Sequence, residues 1–133
     1  MTDRKLITLA ANVMENSYSP YSRFKVGAAV ECSDGTVFTG CNIENAAFGV
    51  TMCAEAAAVA SAVSAGKLKF KRIAIATEGS TYYFPCGTCR QILSEFSPEV
   101  EVLCSRADGR YVSYSLTALL PMAMGKEQKG LEP

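Results

Sequence analysis

The chain has 133 residues with 49% apolar and 20% charged side chains, which is globular composition for about one domain, here residues 1–133. Thirteen Lys and Arg balance thirteen Asp and Glu, which argues against a strongly basic nucleic-acid-binding surface. Histidine is absent, so no Ser-His-Asp triad, Cys-His pair or His-ligated metal can form within the chain.

Leu6, Leu9, Ala10, Val13 and Met14 fall at helical spacing and predict an amphipathic helix over 3–16. Asp3, Arg4 and Lys5 open the chain without the apolar stretch of a signal peptide. Ser17–Ser22, with Pro20 between two tyrosines, reads as a loop. Val26–Cys32 and Thr36–Cys41 flank Ser33-Asp34-Gly35, a hairpin signal. Residues 53–65 are nearly all Ala, Val and Ser, followed by Gly66, which reads as a helix with a glycine stop. Its alanines permit close approach to neighbouring elements. Arg72–Thr77 reads as a buried strand, Cys86–Phe96 as a helix and Val100–Cys104 as a strand. Asp108-Gly109 reads as a turn, Tyr111–Tyr114 as a strand and Ser115–Leu120 as a short helix; 125–133 reads as a flexible polar tail.

The order α-β-β-α-β-α-β-β-α predicts an α/β fold, a mixed sheet of about five strands with helices on both faces. Right-handed crossovers bring the helix starts at 53 and 86 to one sheet edge, where open α/β sheets form their sites. No run of 18 apolar residues is present, so no membrane helix is predicted and a cytoplasmic location is expected.

Cysteines stand at 32, 41, 53, 86, 89 and 104. In a reducing compartment such a set means metal ligands or buried thiols rather than disulfides. Cys86-Gly87-Thr88-Cys89 at a helix start aims two sulfurs one way. A lone Cys-x-x-Cys also fits redox and structural zinc sites. A third thiolate from Cys53, at another helix start, would leave one tetrahedral zinc position open for water. Glu55 is the only charged residue between Cys53 and Gly66, and a buried lone carboxylate is costly unless protonated or paired. Two residues from a ligand, it is placed to take a proton from zinc-bound water. Helix N-termini would offset the thiolate charge.

Cys-x-Glu followed some thirty residues later by Pro-Cys-x-x-Cys matches the zinc-deaminase signature in its three-cysteine form. Residues 21–29, 40–47, 53–55 and 85–91 together resemble the short, homotetrameric cytidine deaminases, a resemblance spanning about 5–124. The resemblance implies a three-layer α/β/α fold and one Zn²⁺ per chain on Cys53, Cys86 and Cys89, with Glu55 moving protons. It implies that Asn42 and Glu44 hold the ribose 3′-hydroxyl and that Phe24 lines the pyrimidine pocket. Backbone groups of Ala54 and Cys86 then read the base edge. The implied reaction is hydrolytic deamination of cytidine and 2′-deoxycytidine in pyrimidine salvage, by a homotetramer with shared sites.

Two positions depart from the family pattern. Ala56 stands where an Arg often contacts the thiolates, leaving Arg90 as the alternative counter-charge. Met122 and Met124 follow Leu119-Leu120-Pro121, where the family often carries a Phe that reaches a neighbour's pocket. Cys53-Ala54-Glu55-Ala56 also resembles blasticidin S deaminases, so blasticidin S or another cytosine nucleoside is the alternative substrate. An RNA-editing module and a purely structural zinc module are the remaining readings. Neutral charge and short length oppose the first, and Glu55 opposes the second. Without a ligand pattern, Cys32, Cys41 and Cys104 read as core thiols, and Lys67, Lys69, Lys71 and Arg72 as a solvated basic face.

Overall fold

The computed structural model describes residues 1–130. Helix α1 (Asp3–Met14) leads into β1 (Val26–Cys32) and β2 (Val37–Cys41). Helix α2 (Ala54–Ser64), strand β3 (Phe70–Thr77) and helix α3 (Gly87–Phe96) follow. Then come β4 (Glu101–Ser105), β5 (Tyr111–Ser115) and the short α4 (Leu116–Leu119). Two 3-10 turns, Phe48–Val50 and Lys126–Lys129, carry no periodic apolar signal and were not predicted from sequence. The second lies within the segment expected to be a flexible tail; residues 131–133 of that segment lie outside the described residues.

The strands form one sheet in the order β2-β1-β3-β4-β5. β1 runs antiparallel to both β2 and β3, so those two point the same way, and β4 is parallel to β3. α2 and α3 therefore both begin beyond the carboxyl ends of co-directional strands, the edge predicted for the site.

The two faces of the sheet differ in side-chain size. Gly27 and Ala29 of β1, with Ala74 and Ala76 of β3, face α1. A Cβ on Gly27 would lie 2.1 Å from the Ala10 carbonyl oxygen. Val30, Ile73, Ile75 and Val102 face the other way, where α2, Leu93 of α3 and Leu116 of α4 cover them. Gly40 on β2 is the close approach on this second face. A Cβ there would sit 2.4 Å from the Ala58 nitrogen and 2.7 Å from the Ala57 Cβ. The alanine-rich α2 thus packs backbone against backbone.

Lys69 and Lys71 are exposed, as the predicted solvated basic face requires, but Arg72 departs from it. Arg72 is largely covered and donates to Glu31 at 2.7 Å and to Asp3 at 2.6 Å, pinning the N-terminus to the sheet. Lys67 pairs with Asp34 at 2.8 Å. Cys32 and Cys104 are buried in the core as predicted. Cys41 is only half-buried, because β2 is an edge strand with one side open.

Candidate metal centre and substrate pocket

Cys53 is the N-cap of α2 and Cys86 the N-cap of α3; Cys89 lies one turn into α3 and is 1% exposed. Neither N-cap sulfur bonds the helix backbone, so both stay free to face each other. The three Sγ atoms lie within 4.8 Å of one another, and Cys53 and Cys86 are 3.8 Å apart. Tetrahedral zinc with Zn–S of about 2.3 Å requires sulfurs about 3.8 Å apart, so the donor set fits zinc in type and dimension. Among the described residues no other His, Cys, Asp or Glu group has metal-binding spacing, and Cys32, Cys41 and Cys104 stay outside this one.

Their acid–base balance points the same way. A hydrogen bond from Cys89 holds the Cys53 thiol down to about 6, while sharing that proton pushes the Cys89 thiol up. Crowded thiols cannot all ionise without a cation among them. Glu55, in the first turn of α2, is 2% exposed. Burial pushes its carboxyl up to about 7, and the neighbouring Cys53 charge adds to the rise.

A cavity of about 240 Å³ opens beside this cluster. Phe24, Asn42, Glu44, Cys53, Ala54 and Glu55 all line it, whereas Cys86, also predicted to read the base edge, and Cys89 do not. Drug-sized sites run to about 300–1,000 Å³, so this one suits a smaller ligand. Two larger cavities, each about 360 Å³, lie against the C-terminal segment and under α1, and neither contains a thiol cluster.

Comparison with known proteins agrees with this geometry. Residues 1–105 match the family model for the cytidine and deoxycytidylate deaminase zinc-binding region. The chain belongs to that deaminase family. The cytidine deaminase of Sporosarcina psychrophila is 41% identical, over 96% of this chain and 94% of the relative. That of Halalkalibacterium halodurans is 39% identical, over 96% and 97%. The crystal structure of cytidine deaminase from Burkholderia pseudomallei superposes with TM-score 0.90 at 43% identity, covering 93% of this chain and all of that one. The Mycobacterium tuberculosis enzyme gives 0.81 at 37% identity, over 94% and 99%.

Within this fold Asn42 and Glu44 are already partly engaged. The Asn42 amide oxygen accepts from the Val26 N–H at 3.0 Å and from the Ser17 hydroxyl. Its amide nitrogen donates to the Phe24 carbonyl at 2.8 Å, which uses one of its two N–H groups. Glu44 accepts the N–H groups of Tyr21 and Ser22 at 2.9 and 3.0 Å. Both residues thus hold the loop at 17–24 in place and keep capacity for a ligand.

The sequence did not reveal five further lining residues, Ser22, Val26, Thr51, Met52 and Tyr83. The Tyr83 ring packs on Phe24 with centroids 5.6 Å apart and an interplanar angle of 39°, giving a continuous aromatic wall. Burial and the adjoining Glu55 and cysteine charges push its phenol up to about 12, so it stays a donor at neutral pH. Only the Tyr-x-Pro-Cys adjacency, Tyr83 to Cys86, hinted at it. Arg90 donates to the Pro85 and Leu119 carbonyls, both at 2.7 Å. It braces the entry of α3 against the end of α4. Met122 and Met124 stand exposed and outside the cavity beside the thiols.

Proposed function

We propose that this chain deaminates cytidine and 2′-deoxycytidine by zinc-assisted hydrolysis, releasing ammonia and the corresponding uridine. The observation that carries the reading is the nearly sealed carboxyl of Glu55 beside three clustered thiols, in a cavity that Asn42 and Glu44 also line. Cys53, Cys86 and Cys89 would hold the zinc. When bound, zinc supplies water acidified toward a pKa of about 7 and polarises the reacting centre.

Glu55 takes one proton from the water and delivers it to ring N3 as oxygen bonds to C4. It then takes the proton of the new C4 hydroxyl and gives it to the amino nitrogen. The C4–N bond breaks, ammonia leaves, and C4 becomes the carbonyl of uridine. A carboxyl raised by burial suits both directions of transfer, since the best catalytic acid–base lies near the working pH. Phe24 and Tyr83 form the apolar wall against the base, and the backbone of Ala54 and Cys86 reads its edge. Asn42 donates to, and Glu44 accepts from, a ribose hydroxyl.

The family resemblance and a set of exposed apolar side chains support a homotetramer with shared sites. Phe48 is 73% exposed, Val50 65% and Tyr21 50%. Met124 is the residue that would reach a neighbour's pocket. Among the described residues no helix is long and apolar enough to cross a membrane, which accords with a cytoplasmic single-domain enzyme of pyrimidine salvage. The test is kcat/KM for cytidine, free cytosine and blasticidin S, with light scattering on the same sample. Cytidine should exceed cytosine by about tenfold or more, since each unpaired polar group costs about 1–3 kcal/mol. Preference for blasticidin S, or a stable active monomer, overturns the corresponding part of the reading.

A further inference from the structure

The loop at 17–24 forms one wall of the cavity, and its hydrogen bonds converge on one carboxylate. Glu44 Oε1 accepts two backbone N–H groups, from Tyr21 and Ser22. Its Oε2 accepts the Ser22 hydroxyl at 2.5 Å. The same Ser22 Oγ accepts the Phe24 N–H at 3.1 Å. One side-chain oxygen therefore bridges the carboxylate at the sugar end and the backbone of the aromatic wall. Between them, Arg23 holds φ at 58°, the left-handed region that non-glycine residues rarely adopt. Such a conformation persists only where the surroundings over-determine it. The Ser22 bridge and the Arg23 N–H to Ser19 carbonyl bond, at 2.9 Å, supply that constraint.

An ionised carboxylate offers about four lone-pair sites. The Tyr21 and Ser22 N–H groups and the Ser22 hydroxyl occupy three of those on Glu44. One site remains, on Oε2, and the bond to Ser22 fixes its direction.

We propose that Ser22 is a positioning residue: its hydroxyl aims the free lone pair of Glu44 Oε2 at the sugar 3′-hydroxyl and couples that aim to the placement of Phe24. The inference rests on the reading of Glu44 as a ribose acceptor. The Ser22 bond is also the main cause holding the Glu44 carboxyl below its ordinary range. Ser22 thereby sets selectivity for nucleosides that carry a 3′-hydroxyl over those that lack it.

The experiment compares cytidine with 3′-deoxycytidine in Ser22→Ala, Ser22→Thr and Glu44→Ala, each loaded with zinc and checked for melting temperature. Ser22→Ala should raise KM for cytidine about tenfold with kcat nearly constant, as expected for loss of a hydrogen bond to a charged group. The preference for cytidine over 3′-deoxycytidine should shrink by the same factor. Calorimetric binding of uridine against 3′-deoxyuridine should follow it. Ser22→Thr keeps the hydroxyl and should restore the preference. Ser22→Cys, with its weak donor, should fall between them. Equal losses on both nucleosides would make Ser22 merely structural and overturn the proposal. So would an unchanged preference in Ser22→Ala while Glu44→Ala abolishes it. If Glu44→Ala also leaves the preference intact, the ribose reading of Glu44 falls and the proposal falls with it.

Discussion

Gly40→Ala tests whether the packing of α2 on β2 sets the geometry of the site. The added Cβ would lie 2.4 Å from the Ala58 nitrogen, 2.7 Å from the Ala57 Cβ and 2.8 Å from the Ala54 carbonyl oxygen. All three belong to α2, and two are backbone atoms, so no side chain can swing away. Ordinary contact requires about 3.5 Å, so the helix must retreat by about 1 Å. Overpacking of this kind costs about 1–3 kcal/mol. At roughly 3–6 °C per kcal/mol for a chain of this size, the melting temperature should fall by about 3–18 °C. The same retreat carries Cys53, Ala54 and Glu55 away from Cys86 and Cys89 on α3. A misplacement of about 1 Å can cost about a hundredfold in rate, so kcat should drop roughly ten- to a hundredfold in molecules that remain folded. Gly27→Ala is the control. Its Cβ would strike α1 at 2.1 Å, on the opposite face of the sheet. That variant should lose stability while its folded fraction keeps its turnover. The assay pairs thermal unfolding with active-site-normalised kcat. Wild-type melting and turnover in Gly40→Ala would refute the reasoning, as would equal kcat losses in the two variants.

Glu55→Gln preserves side-chain volume and should retain zinc and uridine binding while turnover falls by about 10⁴ or more; near-normal kcat would remove Glu55 from the mechanism. Stripping zinc with a chelator should abolish turnover and lower the melting temperature, by about 4 kcal/mol of lost linkage where free zinc had stood at a thousand times its Kd. Metal analysis should give one zinc per chain, lost in Cys89→Ser and kept in Cys32→Ser and Cys104→Ser; the reverse pattern would move the site. Tyr83→Leu should raise KM for cytidine about three- to tenfold by losing the aromatic pair with Phe24, with Tyr83→Phe close to wild type. An unchanged KM in Tyr83→Leu would place that ring outside the base pocket.

The thiol site was legible because its information is local. Cys86 and Cys89 are one helical turn apart, and Cys53 and Glu55 share another first turn. Gly66 marked the end of α2 and takes φ of 84° there. The order of strands was not legible, because it depends on pairings such as Val30 with Ile73 that no short window contains. Arg72 shows the same limit. Beside Lys67, Lys69 and Lys71 it reads as part of a solvated face. Its partners Asp3 and Glu31 stand 69 and 41 positions away. The start of β3 was read two residues late, since Phe70 and Lys71 alternate inward and outward rather than continuing the apolar run. Ser22 gave no signal, and Tyr83 only its adjacency to Pro85-Cys86, because each acts through a neighbour that only the fold supplies.

The absence of an arginine at position 56 has a structural answer that does not need one. Three thiolates around Zn²⁺ sum to one negative charge. Two helices, α2 and α3, end on that cluster, and each N-terminus carries about half a positive charge. Their N-cap cysteines form no side-chain capping bond, so their sulfurs stay free for the metal. Arg90 was the alternative counter-charge, but its guanidinium is held by the Pro85 and Leu119 carbonyls. Its charge is felt at the buried Cys104 thiol, where it opposes the effect of burial. Arg90 therefore acts first as a brace, fixing the backbone that presents Cys86 against the C-terminal part of the chain. Local neutrality is left to the two helix ends. That arrangement ties the electrostatics of the site to the position of α2, and Gly40 is the residue that sets this position.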